Sequence, residues 1–180
     1  MNVKDLALSS LFSVFIIIGS MIKVPIPYVP FTLQVLAICL SALLLTRKQS
    51  VMAILIYIMM GLIGLPVFAG GMSGPNIVMS PTFGFILGFI PMVYVINTLY
   101  HKLPKNRRFI AFVSGEIILY TLALPILYFN LKTYHGITLP ISKLFISYCL
   151  MFVPTDVLSM TVSAFITSRM PEHIKNKKDA

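Results

Sequence analysis

Two carboxylates lie in surroundings that are otherwise apolar. Asp156 is the only charge between Leu144 and Ser168, and Glu116 is the only charge between Phe109 and Leu131. An ionisable group in a membrane-type segment costs a few kcal/mol on insertion scales, so such residues are functional candidates by default. Asp156 is the stronger of the two: a carboxylate there can accept hydrogen bonds from a neutral polar solute, although it can also simply cap a helix. Glu116 lies roughly two helical turns from the basic stretch Lys102 to Arg108, where hydration or pairing with Arg108 accounts for it. Gln34, in the run Pro30-Phe31-Thr32-Leu33-Gln34, brings an amide into an apolar segment. It addresses either a ligand's polar head or a neighbouring helix. Ser9 and Ser13 stand at the four-residue spacing that lets helices approach closely, and spacing alone leaves open whether the second helix belongs to this chain or to a partner.

Enzymatic chemistry finds no comparable support. The chain has no G-x-x-x-x-G-K-[ST] loop, no H-E-x-x-H, no paired carboxylates and no nucleophile with a base nearby. His101, His135 and His173 fall in expected loops or the tail, and Cys39 and Cys149 sit in apolar stretches without metal or redox spacing. The expectation is a protein that is not an enzyme and needs no cofactor or metal. Energy for uphill transport would then come from an ion gradient or from another subunit.

The elements that position these residues follow from charge placement. Hydrophobic residues make up 58% of the 180 and charged ones only 11%, far from the soluble average of roughly half and a quarter. Charges cluster, leaving Leu6 to Ile22, Val24 to Thr46, the long run Gln49 to His101, and the stretches around Glu116 and Asp156. About 20 apolar residues cross a bilayer as a helix, so six membrane helices are expected, the long run holding two. The runs lack the polar alternation of a membrane β-barrel. The fold class is therefore an all-α integral membrane protein: a single membrane domain over 1–170 and a polar cytoplasmic tail over 171–180.

The net charge of +9 does not call for nucleic acid, because it is distributed by loop. Placing the N-terminus inside puts Lys4, Arg47, Lys48, Lys102, Lys105, Arg107, Arg108, Arg169, Lys175, Lys177 and Lys178 on the cytoplasmic side, against Lys23, Lys132 and Lys143 outside. This positive-inside bias predicts both termini in the cytoplasm. The first apolar run reads as an uncleaved helix rather than a secretory signal, since five more spans follow.

Along the chain, helix 1 is expected from about Lys4 to Ile22, followed by a proline-shaped outer connection through Pro25, Pro27 and Pro30. Helix 2 should begin near Pro30 or Phe31 and end before Arg47, and helix 3 should run from Val51 to Leu65. The segment Gly61 to Gly88 holds seven of the ten glycines but no charge, so Val67 to Pro75 is expected to fold over something apolar, as a lid or as a flexible hairpin. Helix 4 is expected from Pro81 or Thr82 to Tyr100, with a possible kink at Pro91, and helix 5 from Phe109 to Phe129. Pro140 to Met170 is too long for one ordinary span. It reads as a partly buried segment Ile141 to Phe152 followed by a short helix beginning near Pro154, in preference to one long helix kinked there. On that reading Asp156 falls in a first helical turn, where the helix dipole favours negative charge, on the outward side.

With these residues in place, the chain resembles the BioY family, the biotin-specific substrate-capture subunits (S components) of energy-coupling factor (ECF) transporters. Pro30-Phe31-Thr32-Leu33-Gln34 is similar to the family's P-F-T-x-Q, and Gly61 to Gly71 to its G-x-x-G-x-P-V-F-x-G-G segment. Pro81 to Phe89 follows P-T-x-G-Y-x-x-G-F with Phe85 in place of Tyr, and the likeness resumes at Phe152 to Asp156. One departure is Ser159, where the family usually carries a lysine one turn after the aspartate. The resemblance implies a six-helix bundle of the ECF S-component type that captures biotin from outside. Asp156, Gln34 and Ser159 are the polar contacts it suggests, and Phe31, Phe68 and Gly71 the enclosure. It also implies a plasma-membrane location, a transmembrane coupling subunit of the EcfT type that faces Ser9 and Ser13, and two cytoplasmic ATP-binding subunits. The competing expectation is a stand-alone secondary transporter or channel for a small organic solute.

Overall fold

The computed structural model describes residues 2–25 and 29–170. The tail expected over 171–180 lies outside the described residues. Helix α1 (Val3–Met21) opens with a capping box in which Asn2 and Asp5 satisfy each other's backbone N–H groups. Beyond α1 a two-stranded antiparallel ladder forms, β1 (Lys23–Val24) against β2 (Phe31–Thr32), with Lys23 opposite Thr32 and Val24 opposite Phe31. Helix α2 (Gln34–Leu44) therefore starts later than the expected Pro30 or Phe31, because Phe31 and Thr32 are committed to β2. Helix α3 (Arg47–Leu62) starts earlier than expected, since Thr46 and Gln49 form a second capping box ahead of the apolar run.

After α3 the charge-free segment closes back over the end of that helix. Phe68 N–H donates to Met72 O at 3.1 Å, Gly74 N–H donates to Gly61 O at 2.7 Å, and a 3-10 helix spans Pro75–Met79. Val67, Phe68 and Ile77 are buried, so this segment does cover apolar surface. Helix α4 (Phe83–Lys102) carries Pro91 within it, and α5 (Phe109–Tyr134) runs further than expected, with Pro125 inside. These two pack closely: a Cβ on Gly84 would lie 2.7 Å from Ala123 O and one on Gly88 2.8 Å from Leu119 Cδ1. Small residues four apart let the two backbones approach.

The C-terminal region differs from its expected division. A short helix α6 (Ile141–Phe145), a π-helical turn (Ile146–Leu150) and α7 (Val153–Arg169) follow one another, and Met151 and Phe152 between them keep right-handed helical dihedrals. The run is one distorted helix rather than a separate outer segment and a short span. Pro154 has no N–H to donate and its ring crowds the carbonyl four residues back, and the π turn widens the helix at that place. The start of the final regular helix at Val153, with Pro154 in its first turn, is as expected.

Among the described residues, four stretches are long and apolar enough to cross a bilayer: Val3–Met21, Phe83–Lys102, Lys105–Tyr134 and Ser142–Arg169. The 11 residues of α2 and the 16 of α3 rise only about 17 and 24 Å at 1.5 Å per residue, short of a hydrocarbon core of about 30 Å. This is fewer full-length spans than the six expected: β2 and the Thr46 cap remove residues from the ends of the second apolar run, and the turn after Leu62 ends α3.

Candidate ligand-binding site

Asp156 lies in the first turn of α7 and is 6% exposed. Tyr120, on the facing side of α5, donates its hydroxyl hydrogen to Asp156 Oδ2 at 2.6 Å. A carboxylate has room for about four such bonds, so Asp156 retains acceptor capacity. It lines a cleft partly open to solvent. The opposite wall comes from the starts of β2 and α2 and from α3, and it contributes Phe31, Thr32, Gln34 and Tyr57.

That wall is polar but unsatisfied. The Gln34 Nε2 and the Tyr57 hydroxyl are buried, and beyond each other they have no hydrogen-bond partner among the described residues. The two side chains are neighbours, with the Gln34 amide beside the Tyr57 hydroxyl. A buried donor left unpaired costs about 1–3 kcal/mol, and at a cavity wall that cost is recovered when a ligand supplies the partner. Aromatic rings join the walls. Phe31 and Phe152 have ring centroids 4.2 Å apart, Phe85 stacks near Phe152 at 6.4 Å, and Phe85 meets Tyr120 edge-on at 6.1 Å. The cavity is thus an aromatic slot with a carboxylate, an amide and phenols on its walls, and among the described residues no Lys, Arg or His lines it. Concave, mostly apolar sites with a few converging polar groups are the usual form of small-molecule pockets.

The structure brings Asp156, Gln34 and Phe31 together in this cavity and places the other expected site residues elsewhere. Phe68 is fully buried, meets Tyr57 edge-on at 5.4 Å, and packs on Gly61, where any Cβ would overlap its ring. It supports the wall from behind. Gly71 sits in the turn closed by the Phe68–Met72 bridge at φ 77°, a left-handed conformation that a side chain disfavours, and is not in the cavity. Ser159 is buried one turn beyond Asp156 and does not line the cavity. Ser9 and Ser13, expected to face a coupling subunit, are fully buried within this chain, and Ser9 Oγ donates to Gln49 O of α3 at 3.0 Å. Gln49 Nε2 in turn donates to Asp5 at 2.6 Å, so this face of α1 belongs to α3.

Glu116 is also not placed as expected. Both its carboxylate oxygens are buried without a hydrogen-bond partner among the described residues, while Arg108 lies over the Tyr100 ring, 4.6 Å from its centroid. Sequence reasoning missed Tyr57 and Tyr120. A phenol in a membrane helix needs a partner when buried, and that was the available signal, but eight tyrosines carry it equally.

Comparison with known proteins settles the family. A model of the BioY family matches residues 1–176. The chain belongs to the BioY family. Similar proteins of the family include a probable biotin transporter BioY of Lysinibacillus sphaericus, 33% identical over 92% of this chain and 86% of that protein. Another is a biotin transporter BioY of Thermotoga maritima, 34% identical over 93% of this chain and 95% of that one. A crystal structure of the S-component for biotin from an ECF-type ABC transporter superposes with a TM-score of 0.71 at 26% identity, covering 93% of this chain and 90% of that one. These relatives are transporters and a transporter component, not enzymes, and this chain shares their membrane-helical fold. The BioY-like motifs divide by role here: Phe31 and Gln34 of the first, and Phe85 and Phe89 of the third, face the cavity. Gly61, Gly84 and Gly88 instead allow close packing behind it.

Proposed function

We propose that this chain is the membrane-embedded, high-affinity biotin-binding subunit of an ECF transporter, capturing biotin from the extracellular side. The observation that carries the proposal is the pairing of an accepting carboxylate, Asp156, with unpaired groups at Gln34 and Tyr57 across an aromatic slot. A cyclic urea carries two N–H donors and one carbonyl acceptor. Asp156 accepts from the ureido N–H groups, Gln34 Nε2 and the Tyr57 hydroxyl donate to its carbonyl, and Phe31, Phe85 and Phe152 cover the bicyclic body. Tyr120 holds Asp156 in place. Delivery requires a transmembrane coupling subunit and two cytoplasmic ATP-binding subunits in the plasma membrane. The bundle crosses six times with both termini inside, α2 and α3 completing their crossings with the segments that flank them.

Isothermal titration of the purified protein tests the site. Saturable biotin binding is expected, and Asp156→Ala should weaken it about tenfold or more, about 1.4 kcal/mol; unchanged affinity in the variant would remove Asp156 from the site. The second reading, a stand-alone transporter coupled to protons, draws on the buried and unpaired carboxylate of Glu116. Biotin accumulation by proteoliposomes holding this chain alone, lost in Glu116→Gln, would favour it.

A further inference from the structure

Biotin carries a carboxylate at the end of its aliphatic tail, and among the described residues no cation lines the cavity. Asp156 already places an acceptor carboxylate inside, so a second carboxylate beside it would be repelled, with little water to screen the pair. The ligand is thereby oriented with its ureido head toward Asp156 and its carboxylate away from it. What receives that charge depends on the outer connection.

Lys23 is tied to the cavity from two sides. It is paired directly across the β1–β2 ladder with Thr32, a cavity-lining residue, and directly opposed residues of an antiparallel pair project to the same face. Its ammonium also lies over Gly70, with Nζ 2.8 Å from where a Cβ on that glycine would stand, next to cavity-lining Ala69. Gly70 adopts φ 84°, so the turn that makes room for the ammonium is one a side chain would disfavour. Lys23 is solvent-exposed and forms no ion pair among the described residues, so its charge is available.

Resting on the biotin reading above, we propose that Lys23 is a specificity-determining residue that receives the ligand's carboxylate at the rim formed by the β1–β2 ladder and the Phe68–Met72 turn. This rim cation supplies the charge recognition that no cavity-lining residue among those described provides. It selects ligands with an anionic tail from those with the same head and a neutral one.

The test is titration of the purified full chain with biotin and with its neutral primary amide. Wild type should prefer biotin about fivefold, the upper end of what a solvent-exposed ion pair contributes. Lys23→Met should weaken biotin by that factor and leave the amide unchanged, while Lys23→Arg retains the preference. Lys132→Met removes an equal charge from the last turn of α5 and should change neither. Unchanged biotin affinity in Lys23→Met, equal loss for both ligands, or the same loss in Lys132→Met would each overturn the assignment. If wild type binds neither ligand, the biotin reading itself fails and the role of Lys23 falls with it.

Discussion

At the scale of single residues, the cavity separates polar groups that are satisfied within the protein from groups that wait for a partner. Asp156 has Tyr120, and Asn97 and Asn130 each hold two backbone carbonyls. The Gln34 amide nitrogen has only the neighbouring Tyr57 hydroxyl, which itself lacks a further partner among the described residues. Replacing an unsatisfied buried amide by an isosteric apolar group is nearly neutral or stabilising for the unliganded fold, but it removes a donor from the ligand. Gln34→Leu should accordingly keep or raise the unfolding temperature of the unliganded protein in detergent while weakening biotin binding about tenfold. A lower unfolding temperature in the unliganded state would mark Gln34 as a structural residue instead. The candidate residues visible from sequence were those whose type is costly in a membrane segment, namely Asp156 and Gln34. Tyr57 and Tyr120 were not visible, because a tyrosine is compatible with core, interface or site.

At the scale of elements, α2 is the weak member of the bundle. It has 11 residues, no side-chain cap at its start, and a C-terminal end whose carbonyls must be satisfied in an apolar environment. Asn97 of α4 does this: its Nδ2 donates to Ala42 O at 2.8 Å and to Leu45 O at 2.9 Å. Because Gln34 stands at the other end of α2, the same contact fixes the height of one cavity wall. Asn97→Leu should lower stability by about 1–3 kcal/mol, the cost of buried acceptors losing their donors. Thermal unfolding in detergent checks this, and an unfolding temperature equal to wild type would show that the carbonyls find other donors. The sequence pattern located α4 and α5 well because their apolar runs are long and bounded by charge. It misplaced the start of α2 because strand pairing with Lys23 and Val24 is a long-range choice that local propensity does not record.

At the scale of the whole molecule, orientation rests on the distribution of lysine and arginine among loops. In the orientation proposed above, Lys23 would face the exterior and Lys48, at the start of α3, the cytoplasm. In a Cys39→Ala, Cys149→Ala background, a cysteine in place of Lys23 should react with a membrane-impermeant maleimide on intact cells, and one in place of Lys48 only after the membrane is opened. The reverse pattern would invert the bundle and move the cavity to the cytoplasmic side. The close α4–α5 contact and the α1–α3 contact through Ser9 give the bundle two rigid pairs, and the cavity lies where residues from α2, α3, α4, α5 and α7 meet.

The sequence by itself determined that this is a helical membrane protein of the BioY type, because hydrophobic run length, charge clustering and motif order are local properties. It also marked Asp156, Gln34 and Phe31, which share the cavity. Tertiary structure alone decided that Ser9 and Ser13 serve an internal contact, that Phe68 is support rather than enclosure, and that Ser159 stands apart from the slot. It also decided that Asp156 is met by Tyr120. The physical reason is that a side chain's role in a bundle depends on which helix faces it. Asp156 and Tyr120 are 36 residues apart, and no spacing rule within one helix relates them.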